Sequence, residues 1–198
     1  MKQATDERGK RLGMWLFLYT EIILFGGLFV LYAVYLSKFG EAFISAGKEL
    51  DRLFGTGNTL ILLVSSFAVA ASITAVQRGE KRRAVWLVAG AVACGAVFLV
   101  NKYFEWGHKF ELGIYPGSEN LLKSEPGRNV FFGLYYVITG LHGIHIVIGM
   151  TLLLVAMVLI LMGRVNAERH VVLENAGLYW HLVDLIWIFI FPLFYLIL

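Results

Sequence analysis

Five long apolar runs are the feature that most restricts what this chain can fold into. Each approaches or exceeds the roughly 20 residues that an α-helix needs to cross a bilayer. The strands of a lipid-facing barrel would alternate polar and apolar residues, and these runs do not. Hydrophobic residues make up 59% of the chain and charged residues only 16%. The sequence therefore predicts an all-α integral membrane protein, a single membrane domain over residues 1–198 with transmembrane helices at about 12–36, 57–77, 84–106, 130–162 and 176–198.

The basic residues between the runs predict the orientation of the bundle. They are dense at the N-terminus and in the second connection, whereas those of the first and third connections are diluted by acidic residues. Cytoplasmic loops carry an excess of Lys and Arg. We therefore expect the N-terminus in the cytoplasm and the C-terminus outside. The net charge of +3 comes from residues that flank the runs, so it indicates no nucleic-acid partner.

Glu21, in FLYTEIILFGG, places a carboxyl inside the first run. It lies about nine residues into the predicted helix, roughly 14 Å along its axis and near the middle of the bilayer. Ionisable residues at that depth are costly and are functional by default. Two interpretations are open: Glu21 is a proton-active group, or it is a neutral carboxyl hydrogen-bonded to a neighbouring helix.

Four polar residues of the last two runs share helix faces in pairs. His142 and His145 are three apart in ITGLHGIHIVIG, as are His181 and Asp184 in YWHLVDLIW. Imidazole and carboxylate ligands also occur in metal and haem sites. No cysteine pair supports such a site, however, and the spacing specifies no haem or binuclear geometry. We therefore predict no metal site and interpret the four residues as a buried polar network that fixes how the fourth and fifth helices meet.

Two acids lie at predicted helix ends. Glu105, between aromatic residues at the end of the third run, is typical of an interfacial anchor. Glu174 lies just before the fifth helix, where an acid is favourable, and close in sequence to Arg164 and Arg169. These three residues form either a solvated salt bridge or a site for a phospholipid head group. The stretch 107–129 is interpreted as an outer loop with room for a short helix.

Several motifs resemble subunit III of the haem-copper terminal oxidases. GLYWHLVDLIWIFIFPLFYL is similar to the last-helix signature of that family, and TGLHGIHIVIG is similar to its two-histidine helix. FLYTEIILFGGLF resembles the helix with a buried glutamate, and NTLILLVSSFAVAAS and YFEW match weaker patterns in the helices between them. The motifs follow the family's order over nearly the whole chain.

The resemblance implies an accessory, non-redox role in aerobic respiration, with no catalytic residue in this chain. Haem and copper would lie in partner subunits, and this chain would pack against catalytic subunit I, beside subunit II and a small subunit IV, in a prokaryotic plasma membrane. It would bind phospholipid and support proton uptake in a proton-pumping cytochrome c oxidase. By position, Glu21 would be the carboxyl of the lipid-cleft region, His142, His145, His181 and Asp184 the buried polar set, and Glu105 and Glu174 the acids near helix ends.

The chain departs from larger family members, which have seven helices. The two helices that form one arm of their lipid cleft have no counterpart here, so a complete cleft would need a partner. Three alternatives stay open: subunit III of a quinol oxidase, an accessory protein of a nitric oxide reductase, and an independent proton or ion transporter. The transporter interpretation lacks an inverted repeat or a pair of broken helices.

Overall fold

The computed structural model describes residues 2–196, except for the side chains of residues 2–8 and Lys10. Within this part five helices are long and apolar enough to cross a membrane, and no strand is formed, which confirms the predicted fold class. In chain order the helices are α1 (Lys2–Lys38), α2 (Gly40–Gly47), α3 (Arg52–Gln77), α4 (Lys81–Glu111), α5 (Glu119–Leu122), α6 (Pro126–Leu161) and α7 (Val171–Phe191), which continues as a π-helical turn, Pro192–Leu196.

Most of the long helices extend beyond the predicted apolar runs. α4 ends at Glu111 rather than near residue 106, and α7 begins at Val171 rather than near residue 176. The reason is that helical hydrogen bonding continues into polar turns at the membrane surface, where hydropathy no longer marks the helix. The stretch 107–129 is thus a shorter connection than expected. It contains the short helix α5, and α2 was not predicted.

Local sequence signals fix several helix ends. The Asp51 carboxylate accepts hydrogen bonds from the backbone N–H groups of Leu53 and Phe54 and caps α3. Gly79 and Gly163 follow α3 and α6 with φ of 76° and 73°, a conformation that side-chain-bearing residues rarely adopt. Pro192 has no N–H for the regular helical bond, and α7 widens there into the π-helical turn.

Four of the spans form the core, and the fifth lies at its edge. α3 packs against α4 and α7, and α6 packs against the same two helices. α1 touches α6 and α7, but only 11% of its most apolar stretch is buried, against 50% for α7. α1 therefore presents most of its apolar surface outward.

Close packing in the core centres on Trp180 of α7. A Cβ on Gly95 of α4 or on Gly149 of α6 would come within 2.8 Å of the Trp180 ring. The indole therefore occupies the room that two glycines leave, which lets α4, α6 and α7 approach without a hydrophobic driving force. Trp180 Nε1 donates to Ser65 Oγ at 3.0 Å, which ties the ring to α3.

Candidate functional site

A buried ion pair joins α4, α6 and the C-terminal turn. Lys102 Nζ lies 3.0 Å from Glu105 Oε2, and the two side chains are 9% and 4% exposed. Lys102 also donates to the hydroxyls of Tyr135 and Tyr195, at 3.2 and 2.8 Å. Both tyrosines donate to Glu105 Oε1, at 2.6 and 2.5 Å. Since donors from three helical elements surround the carboxylate, a charged pair can persist here in spite of its burial. We call these four residues the Lys102 cluster.

The Lys102 cluster corrects the interpretation of Glu105 as an interfacial anchor at a helix end. α4 continues to Glu111, so Glu105 lies within the helix, and its face packs against α6 and the C-terminal turn. The neighbouring Tyr103 and Phe104, which are 76% and 62% exposed, have the exposure expected of interfacial anchors. Lys102, Tyr135 and Tyr195 were not predicted as site residues. The available signal was the three-residue spacing of Lys102 and Glu105 on one face of an apolar helix.

A second polar contact joins the peripheral helix α1 to α6. Glu21 Oε2 lies 2.7 Å from His145 Nε2, and the two side chains are 12% and 8% exposed. The imidazole packs edge-on against Phe25, with 5.2 Å between ring centres, and stacks near Tyr179 of α7. Glu21 therefore meets a neighbouring helix at the polar group of α6 that the sequence singled out.

The hydrogen bonds of His145 show that this pair shares one proton. His145 Nδ1 lies 2.7 Å from the carbonyl oxygen of Leu141, which can only accept, so Nδ1 carries hydrogen. The contact between Nε2 and Glu21 then needs one further proton, on either the carboxyl or the imidazole. Both forms of the pair have zero net charge. The arrangement can hold a proton between α1 and α6 without placing a net charge in the membrane.

The other polar residues of the predicted network do not join this pair. His181 Nδ1 lies 2.6 Å from Ser66 Oγ on α3. Neither oxygen of Asp184 and neither ring nitrogen of His142 has a hydrogen-bond partner among the residues that the structure describes. The His142 ring instead packs between Phe98 and Trp187, with ring centres 5.5 and 5.2 Å away.

The idea that His142, His145, His181 and Asp184 satisfy one another is therefore corrected. Residues three apart share a helix face, but the three histidines meet different neighbours: α1 for His145, α3 for His181 and the aromatic core for His142. Ser66, which the sequence analysis did not single out, carries the contact to His181. The signal for it was a pair of serines within an apolar run.

Glu174 also has partners other than those expected. It lies in the first turn of α7, 2.9 Å from Arg11 Nη2 and 3.2 Å from His170 Nε2. Arg164 and Arg169 are exposed in the connection between α6 and α7. The acid therefore forms its salt bridge to α1 rather than to these two arginines, because the earlier start of α7 places it beside that helix.

Among the side chains that the structure describes, no three His, Cys, Asp or Glu residues come together in a group that could hold a metal ion. Five apolar spans, the Lys102 cluster and the proton-sharing Glu21–His145 pair define a polytopic membrane protein with buried ionisable groups.

Comparison with known proteins identifies the family of this membrane protein. The family model of cytochrome c oxidase subunit III matches residues 2–197. The chain belongs to the cytochrome c oxidase subunit III family, as the resemblance of its motifs predicted.

Relatives from two kinds of oxidase share most of the chain. Cytochrome c oxidase subunit 3 of Thermostichus vulcanus is 36% identical over 94% of this chain and 86% of its own length. The protein of the same name from Synechocystis is 31% identical, over 93% of this chain and 74% of its own length. Cytochrome bo(3) ubiquinol oxidase subunit 3 of Pseudomonas aeruginosa is 28% identical, over 98% and 88%.

Proposed function

We propose that this chain is the accessory subunit III of a proton-pumping haem-copper terminal oxidase of the cytochrome c type. The observation that carries the proposal is the family match over nearly the whole chain, together with relatives named cytochrome c oxidase subunit 3 at 36% and 31% identity. Subunit III is not itself catalytic. In this proposal haem and copper belong to partner subunits, with catalytic subunit I as the main contact, subunit II and a small subunit IV nearby, and the bacterial plasma membrane as the location.

The Glu21–His145 pair is the group through which the chain would support proton uptake. It lies between α1 and the core, and both side chains keep a small exposed fraction. A shared proton in a short hydrogen bond can be exchanged without creating a net charge. Glu21 is therefore proposed as a proton-holding residue.

Phospholipid is the proposed ligand of two surfaces. The first is the outward apolar side of α1, where Trp15, Leu16 and Ile23 are more than half exposed. The second is the connection between α6 and α7, where the exposed Arg164 and Arg169 suit a phosphate head group.

Purification from the native membrane tests the assignment. A tagged chain, extracted in mild detergent, is expected to bring with it a larger many-helix partner and the reduced-minus-oxidised spectrum of haem. Oxidation of reduced cytochrome c by the purified complex would support the cytochrome c type. Oxidation of ubiquinol alone would establish the quinol-oxidase alternative, which the 28% identical relative favours. A colourless chain without partners would contradict both.

Two substitutions of Glu21 separate a proton role from a packing role. Gln keeps a hydrogen-bonding partner for His145 but cannot release a proton, whereas Ala removes both. We expect Glu21→Ala and Glu21→Gln to leave an assembled complex whose activity decays several-fold faster during turnover. Glu41→Ala, which removes an exposed carboxylate on α2, is the matched control and should decay at the wild-type rate. A wild-type lifetime for Glu21→Gln would assign the residue to packing instead.

A further inference from the structure

Asp184 is a buried acid without the partners that buried acids usually have. It lies near the middle of α7, and the residue is 3% exposed. Neither of its carboxylate oxygens meets a hydrogen-bond partner, and no ion pair among the described residues includes it. The surroundings of Asp184 therefore differ from those of Glu105, which has a lysine and two tyrosine hydroxyls around it.

Among the residues that the structure describes, no cation forms an ion pair that would balance the charge of Asp184. Ser66 of α3 is the hydroxyl that lies near the carboxyl group, and the Cys94 thiol of α4 is its titratable neighbour on that helix. On α6, the His142 ring packs between Phe98 and Trp187, and neither of its nitrogens forms a hydrogen bond to the carboxyl. Burial of an ionised carboxylate in such surroundings is strongly unfavourable, and a buried acid without a partner takes up a proton instead. The carboxyl group is neutral in this environment.

Ser66 connects this carboxyl to an imidazole. Its Oγ lies 2.6 Å from His181 Nδ1, and His181 precedes Asp184 by three residues on the same face of α7. A serine hydroxyl can accept one hydrogen bond while it donates another. His181 is half-buried, so part of this residue is exposed on the bundle.

We propose that Asp184, Ser66 and His181 form a proton relay within the membrane. At rest the Ser66 O–H donates to His181 Nδ1, and the protonated Asp184 carboxyl lies beside Ser66 without a hydrogen bond to it. A turn of the carboxyl then lets its O–H donate to Ser66 Oγ. In the transfer, the Asp184 O–H bond breaks and its proton binds Ser66 Oγ, while the Ser66 proton moves to His181 Nδ1. The products are a carboxylate, an unchanged serine and an imidazolium, so protons and charge balance. This site is separate from the Glu21–His145 pair and does not depend on the role proposed for it.

Infrared spectroscopy of the intact complex in lipid nanodiscs tests the relay. A protonated carboxyl has a C=O stretching band that a carboxylate lacks. Asp184→Asn should remove one such band from the wild-type spectrum. Ser66→Ala should keep the band but shift its frequency, because the carboxyl loses the hydroxyl beside it, and Ser66→Thr should restore it.

Asp51→Asn is the matched control, because Asp51 is a capping carboxylate outside the spans and Asn caps equally well. It should leave the protonated-carboxyl region unchanged. Persistence of every band in Asp184→Asn would show an ionised Asp184 and overturn the proposal. A band that Asp184→Asn removes but Ser66→Ala leaves unshifted would overturn the relay as well. Neither result bears on the oxidase assignment, because the signal is a carboxyl vibration rather than turnover.

Discussion

Glu105 and Asp184 are both buried acids within apolar helices, but their surroundings are opposite. Glu105 has an ammonium group at 3.0 Å and accepts hydrogen bonds from two tyrosine hydroxyls. Asp184 has no such partner for either oxygen among the described residues. The comparison teaches that depth alone does not decide the charge of an acid in a membrane protein. The donors that neighbouring helices supply decide it: they surround Glu105, and they are missing at Asp184.

The largest loss of stability is expected from a substitution of Glu105. Glu105→Gln keeps the shape of the side chain but leaves Lys102 buried without a counter-charge. Loss of one partner from a buried ion pair costs about 3–5 kcal/mol. We expect a loss of this size in the free energy of unfolding, measured by detergent-induced unfolding in mixed micelles.

The control for this change removes both charges. Lys102→Met combined with Glu105→Gln should recover most of the lost stability, because an apolar replacement of a whole buried pair is often neutral. If the double variant is as unstable as Glu105→Gln alone, the uncompensated ammonium is not the cause of the loss.

A smaller loss of stability is expected when a substitution removes one hydrogen-bond donor from the Lys102 cluster. Tyr195→Phe removes the hydroxyl that bonds to both Glu105 and Lys102 but keeps the ring. A hydrogen-bonding partner of a charged group contributes about 1.5–3 kcal/mol. Tyr135 remains bonded to both charges, so a loss within this range, rather than a larger one, is expected in the same unfolding experiment. Tyr103→Phe removes an exposed hydroxyl from α4 and should change stability little. Equal effects of the two substitutions would mean that the Tyr195 hydroxyl bonds add nothing.

The spans of this chain could be predicted from the sequence, but the partners of its buried polar groups could not. About 20 apolar residues per crossing is a local property, so hydropathy found the five helices. Glu21, His145 and Asp184 stood out for a similar reason, as polar residues in apolar runs. Which of them meet depends on how each helix is rotated and how far it slides along its neighbour.

The Lys102 cluster shows what local reasoning misses. Glu105 stands beside aromatic residues near the end of an apolar run, which is the usual pattern of an interface. The structure buries it because α4 continues further and because Tyr135 and Tyr195 reach it from distant parts of the chain. Tyr195 does so from the π-helical turn after Pro192, a geometry that helical periodicity does not anticipate.

The smallest expected effect belongs to Asp184→Asn, and it is the most direct test of the comparison. An amide has nearly the shape and neutrality of a protonated carboxyl, so the free energy of unfolding should change by less than about 1 kcal/mol. The same acid-to-amide change at Glu105 costs several times more. If Asp184 were ionised, the substitution would remove a costly buried charge, and the chain would become markedly more stable. A loss as large as that of Glu105→Gln would instead reveal a cationic partner from another subunit. Only a near-zero change in the free energy of unfolding agrees with the difference in protonation that the surroundings of the two acids imply.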